Sequence, residues 1–227
     1  MSVTKAPVLI EFFYDVISPY SYLAFEVLQR YKSIWKIDLK LKPMLLAGVM
    51  KSSGNSPPAV VPNKGMYMAQ DLKRLQSYFQ VPLSLPYNLM DIMMKNGSLN
   101  AQRFLTAVDI QQPEYLESIS RALWQRLYNE HTDITKAQSF IEAGKKIGMD
   151  ENTLEKALKI INDAQTKQRL RKYTDEALEH GAFGAPMIVA HVEGKSEVFF
   201  GSDRFELLAY VLGEPWLGPV PKTTSKL

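Results

Sequence analysis

Hydrophobic and polar positions alternate with different periods along this chain, and the period changes mark its elements. Val8 to Tyr14 is almost continuously apolar, as a strand buried on both faces is. Pro19 to about Tyr31 places Tyr22, Phe25, Val27, Leu28 and Tyr31 at helical spacing, which predicts one inward face. From Ile37 to Met44 the period drops to two: Ile37, Leu39 and Leu41 alternate with Asp38, Lys40 and Lys42. Strand, helix and strand in such short succession predict a βαβ unit with a parallel pair.

The pattern then changes. Ser52 to Lys64 is rich in Ser, Gly, Asn and Pro and reads as a loop. From about Gly65 to His180 only helical signals occur. Asn100 is positioned to cap one helix, Pro113 opens the next, and Thr135-x-x-Gln138 forms a candidate capping box before a stop at Gly148. Asp150 starts another helix, and Thr166 to His180 reads as the last long one. Beyond Gly184-Ala185-Pro186, Met187 to Val192 is again a strand. Glu193 to Ser196 reads as a turn into Glu197 to Phe200, giving an antiparallel hairpin. A final helix follows, with Asp203-x-x-Glu206 as a candidate box and Gly213 as its stop.

The resulting order, βαβ, a helical block, then ββα, predicts an α/β thioredoxin-like fold interrupted by a large all-helical insert. Neither terminal piece buries its strands alone, so the two must rejoin in one mixed sheet. The expected domains are a discontinuous thioredoxin-like unit, residues 1–63 and 181–227, and a helical unit, residues 64–180.

Composition narrows the chemistry. The chain has no cysteine, which excludes disulfides, thiolate metal sites and a protein-borne thiol nucleophile. A net charge of +3 without a basic block gives no footprint for nucleic acid. No apolar run approaches the length of a membrane span, and the N-terminus has no signal-like core. His131, His180 and His191 are far apart with no carboxylate at ligand spacing, so no metal site is expected. The chain ends in Ser225-Lys226-Leu227, the tripeptide that the peroxisomal import receptor reads. A peroxisomal location is expected, and a further mitochondrial or cytosolic pool is left open.

Three places carry candidate chemistry. Ser18 and Pro19 open the first helix as an N-cap and a first-turn proline. A hydroxyl, unpaired N–H groups and the positive end of a helix dipole meet there, a point suited to an anion. In a thioredoxin-like fold this is the working end, and Ser18-Pro19-Tyr20-Ser21 stands where redox members carry two cysteines. Disulfide exchange is thereby excluded, whereas a hydrogen bond from Ser18 to a ligand's thiolate is open. A plain helix cap is the competing reading. Pro186 follows Ala185 at the place where this fold has a cis proline, leaving the Ala185 backbone groups to pair with an extended peptide. Ser202 and Asp203 start the last helix and suit an amino-acid-like ligand end, or a simple cap. Asn55 and Lys64, in or beside the polar loop, suit a second carboxylate or only solvent. Most methionines and aromatics read as core, with Tyr14, Tyr20, Tyr22 and Tyr67 available to line a pocket for a hydrophobic co-substrate.

Motif order and spacing resemble the kappa-class glutathione transferases nearly end to end. The matching stretches are Phe13 to Ser21, His180 to Pro186 and Phe200 to Arg204, together with Lys64 to Leu72 and Phe104 to Val108. The resemblance implies a homodimer that conjugates glutathione to small hydrophobic electrophiles such as halogenated nitroaromatics. It implies no cofactor beyond glutathione as co-substrate, and leaves peroxidase activity open. Ser18 becomes the catalytic residue holding the thiolate, with Pro19 and Tyr20 in the same binding motif. Ala185 pairs with the cysteinyl part, beside the cis Pro186. Asn55 and Lys64 approach the glycyl end, and Ser202 and Asp203 bind the γ-glutamyl end, helped by Asp71 of the partner subunit. The family often has a bulkier apolar residue at the position of Ala185. A glutathione-dependent isomerase of the 2-hydroxychromene-2-carboxylate type and a non-catalytic binding protein on the same fold are the alternatives.

Overall fold

In the computed structural model, which describes residues 6–222 except 88 and 93–96, strand β1 (Val8–Tyr14) lies inside a four-stranded sheet, between β2 (Ile37–Pro43) and β3 (Met187–Val192), with β4 (Lys195–Phe200) beyond β3. It runs parallel to β2 and antiparallel to β3. The sheet therefore joins both ends of the chain, as the element order predicts. Ile10, Phe12 and Tyr14 belong to one core, and Phe13 belongs to a second on the opposite face with Met44, Val49, Ala177 and Val189. Two cores explain the unbroken apolar run of β1. Its polar interruption, Glu11, pairs with Lys42 and accepts a hydrogen bond from His191 at 2.9 Å.

Helix α1 (Pro19–Tyr31) covers one face of the sheet. Helices α2 (Leu46–Ser53), α3 (Pro62–Phe79), α4 (Leu89–Asp91), α5 (Leu99–Gln111), α6 (Leu116–Tyr128), α7 (Ala137–Lys146), α8 (Glu151–Ile160) and α9 (Ala164–Glu179) follow β2. The helical block shares the larger core. Trp124 of α6 is fully buried, its rings 5.2, 5.4 and 4.9 Å from those of Tyr14, Tyr22 and Phe25. A buried tryptophan removes about 150–250 Å² from water, so this contact ties α6 firmly to β1 and α1.

Strand β4 (Lys195–Phe200) begins two residues before its expected start at Glu197. Glu193 and Gly194 alone make the turn, with φ of 50° and 78°, and Val192 already pairs with Lys195. Two residues at positive φ match the twist of a hairpin. Helix α10 (Phe205–Leu212) ends at Gly213 in the left-handed conformation, as expected.

Several local expectations are corrected. Helix α2 and the start of α3 take the two ends of the stretch read as a loop from Ser52 to Lys64, and its middle holds one 3-10 turn, Pro58–Val60. Pro62 opens α3, where its missing N–H costs nothing. The box at Thr135 and Gln138 does not form. Asp133 caps this turn instead, accepting from the Thr135 and Lys136 amides at 3.0 and 3.1 Å and from the Ser139 hydroxyl at 2.8 Å. Asn100 lies inside the first turn of α5 and donates to the Thr135 carbonyl. Asp203 pairs with Arg204 and does not cap α10. Asp150 does cap α8, accepting from the Thr153 amide at 2.9 Å. Ser225, Lys226 and Leu227 lie outside the described residues.

Candidate active site

The loop from β1 to α1 carries Ser18. Its φ and ψ of −91° and 116° are those of an N-cap, and its Oγ accepts the Ser21 N–H at 3.1 Å. That contact leaves the hydroxyl proton to point outward, and it lies on the Ala185 carbonyl at 3.3 Å. Ala185 precedes Pro186 through a cis peptide bond. Two segments far apart in sequence thus meet at one hydroxyl.

Around this meeting point lies a cleft of about 520 Å³, within the size range of small-molecule sites. Ser18, Pro19 and Tyr20 line it from α1; Ser202 and Asp203 line it from the segment before α10. Asn55, Lys64 and Asp71 line it from the loop after α2 and from α3, and Ala185 from the segment before β3. Pro186 does not line it. It is buried behind Ala185, and its carbonyl accepts the Gly201 N–H at 3.1 Å. Gly201 has φ of 104°, and a Cβ there would sit 2.7 Å from Asp203 Oδ1. Glycine is required at that turn.

Charges are placed unevenly. Lys64 makes no ion pair among the described residues. Ser202 is buried, while Asp203 is exposed and pairs with Arg204 at 3.2 Å. Asn55 differs from expectation: its amide donates to the Phe183 carbonyl at 2.6 Å and its Oδ1 accepts the Ser56 N–H. It closes the loop onto the segment before Ala185 as well as lining the cleft. Asp71, expected from a partner subunit, already stands in this chain's own cleft and accepts the Tyr20 hydroxyl at 3.2 Å. Burial, and then the Asp71 charge, push the Tyr20 phenol well above its ordinary range. Tyr20 is a donor at neutral pH and not a base. No histidine is among the residues lining the cleft.

Of the four tyrosines considered for a hydrophobic pocket, Tyr20 and Tyr67 line the cleft. Tyr14 and Tyr22 are core residues beside Trp124, and the Tyr14 hydroxyl is 2.6 Å from Ser120 Oγ. The apolar lining comes instead from Leu46, Met50, Met68, Leu75, Phe183 and Phe200. Gly184 allows the Phe200 ring to approach, since a Cβ there would be 2.9 Å from it.

Sequence reading also missed Asp15. This carboxylate is wholly buried; Oδ1 accepts the Ile17 N–H at 3.0 Å, and Oδ2 accepts the Leu46 N–H at 2.9 Å and the Ser98 hydroxyl at 2.7 Å. Burial pushes its carboxyl up to about 6 against the three donors. An acid at the end of an apolar strand was the available signal, because such a residue is rarely buried without partners.

With this geometry in hand, the relatives are informative. The sequence profile of the DSBA-like thioredoxin domain matches residues 9–213. Glutathione S-transferase kappa 1 of Rattus norvegicus is 52% identical over 220 residues, 97% of either chain. The protein of the same name from Homo sapiens is 49% identical over 219 residues, 96% of this chain and 97% of its own. The solved structure of a 2-hydroxychromene-2-carboxylate isomerase superposes with a TM-score of 0.73 at 21% identity, covering 90% of this chain and 94% of its own; it shares the fold. The chain belongs to the DSBA-like thioredoxin family and, within it, to the kappa-class glutathione transferases.

Proposed function

We propose that the cleft binds reduced glutathione with its sulfur at Ser18, and that the ionised sulfur attacks small hydrophobic electrophiles. The observation that carries this reading is the Ser18 hydroxyl, whose oxygen is taken by Ser21 N–H and whose proton faces Ala185 across the cleft. A sulfur placed there takes that proton as a hydrogen bond and lies at the positive end of α1. Both contacts favour thiolate over thiol. With no imidazole in the lining, activation rests on holding the anion, and the thiol proton leaves to water. The thiolate then displaces halide from a halogenated nitroaromatic: a carbon–sulfur bond forms, a carbon–halogen bond breaks and the halide departs.

The remaining lining residues suit the two ends of the tripeptide. Ala185 offers its backbone N–H and C=O to the cysteinyl unit. Lys64 opposes the glycyl carboxylate beside Asn55, while Ser202 and Asp203 meet the α-carboxylate and ammonium of the γ-glutamyl end. The apolar side from Leu46 and Met50 to Phe200 receives the electrophile.

Calorimetric titration with glutathione, followed by an assay with 1-chloro-2,4-dinitrobenzene, tests the reading. Saturable binding and consumption of one glutathione per product are expected. Absence of binding overturns the whole reading. Binding with turnover of a hydroxychromene carboxylate, but without loss of glutathione, establishes the isomerase instead. That second reading is kept because the superposable solved structure is that of a 2-hydroxychromene-2-carboxylate isomerase.

A further inference from the structure

We infer that Tyr128, assisted by Ser98 and Gln102, positions Ser18 for the reaction although none of the three touches the cleft; this rests on the assignment of Ser18 as the residue that holds the thiolate. The loop from Tyr14 to Ser18 lies between the end of β1 and the start of α1, where neither a strand ladder nor a helix supplies all its backbone partners. Side chains of the helical block supply them. Gln102 Nε2 donates to the Tyr14 carbonyl at 2.9 Å, and its Oε1 accepts the Val16 N–H at 3.3 Å. Ser98 holds Asp15 at 2.7 Å, and the Tyr128 hydroxyl donates to the Ile17 carbonyl at 2.5 Å.

The last contact matters most. The peptide unit joining Ile17 to Ser18 is fixed at both ends: its oxygen by Tyr128 and its N–H by the Asp15 carbonyl at 2.9 Å. The orientation of that plane sets the direction in which Cα–Cβ of Ser18 leaves the backbone, and so where Oγ meets a sulfur. Tyr128 is fully buried, and burial keeps its phenol protonated far above the ordinary range, so it remains a donor throughout the working pH range. Ser98 and Gln102 are also buried and outside the lining. The helical block thereby reaches the reacting hydroxyl through the backbone.

Tyr128→Phe tests this with the ring, and hence the packing, retained. Expected are a kcat lower by about tenfold, a KM for glutathione within about twofold, and a bound thiol whose pKa rises toward the free value, because a small misplacement weakens the transition-state contact more than binding. Gly144→Ala is the control for stability alone: its Cβ would collide with Leu154, in the contact between α7 and α8, and kcat is expected to stay at the wild-type value. If Tyr128→Phe lowers the melting temperature but leaves kcat and the thiol pKa unchanged, Tyr128 is structural only and the inference fails. Should Tyr128→Phe not fold, Ser98→Ala and Ser98→Thr decide, with loss in the first and recovery in the second expected; equal kcat in both overturns the inference. Wild-type protein that binds glutathione without depressing its thiol pKa overturns the Ser18 assignment itself, a result distinct from an unchanged variant beside a depressed wild type.

Discussion

Ser18→Ala is expected to fold as the parent does and to lose conjugating turnover by about ten- to a hundredfold. The substitution removes two hydrogen bonds of different weight. As a helix cap, the Ser18 side chain accepts the Ser21 N–H, and replacing such a cap with alanine costs about 1 kcal/mol. The extensive shared core around Trp124 tolerates that loss. As a donor to a charged sulfur, the same hydroxyl is worth about 1.5–3 kcal/mol, and each 1.36 kcal/mol in the barrier is about tenfold in rate. Steady-state kinetics with 1-chloro-2,4-dinitrobenzene, alongside a thermal melt, separate the two effects. A melting temperature a few degrees lower with turnover intact would leave Ser18 as a cap and nothing more.

Asp15→Asn is the second large effect, and its pH dependence is the informative part. The carboxylate accepts three donors; an asparagine offers one oxygen and turns an NH₂ group toward the rest. Leaving a buried donor unsatisfied costs about 1–3 kcal/mol, so the variant is expected to be less stable by about that amount or more at neutral pH. The sign of the pH effect follows from the direction of the shift. Burial raises the Asp15 carboxyl from 3.8 to about 6, so between those values the native state holds a proton that the unfolded chain has released. The contribution of this group is fully present at the acid end, declines as pH rises through about 6, and amounts to about 3 kcal/mol for a shift of about two units. Asparagine has no such dependence. Denaturant melts of both proteins between about pH 4 and 7 are therefore expected to show their largest stability gap at the acid end. A gap that grows with pH would mean that the three donors outweigh desolvation and that the carboxyl titrates low.

Much of the working end was legible because its instructions are contiguous. Ser18 followed by Pro19 states a helix start in two residues, and a serine cap forms there. Strand β1 and helix α1 have the bounds that their periodicity predicts. Ala185 and Pro186 were placed by element order, and the cis bond is present. What was not legible depends on partners distant in sequence. Helix α2 is short and contains glycine and two serines, a weak helical signal. Its Leu46 N–H is satisfied by Asp15, a residue 31 positions away, so its cap cannot be found locally. The same holds for Ile17 and Tyr128, which are 111 positions apart. Tyr14 and Tyr22 read as possible pocket residues until Trp124 of α6 is seen packed against each of them. At Thr135 a short-range rule lost to a competing residue just upstream, because the Asp133 carboxylate is the stronger acceptor and takes both the Thr135 amide and the Thr135 hydroxyl that the box would use.

The central claim is that a hydroxyl at the tip of α1 keeps the sulfur of glutathione ionised. Ultraviolet titration of the thiolate in the binary complex, with wild-type protein and with Ser18→Ala, tests it most directly. The expected result is a wild-type apparent pKa about one to two units below the value of a free thiol, about 8.5, with most of that depression gone in the variant. A bound thiol that titrates like free glutathione in the wild type, or equally low in both proteins, would contradict it.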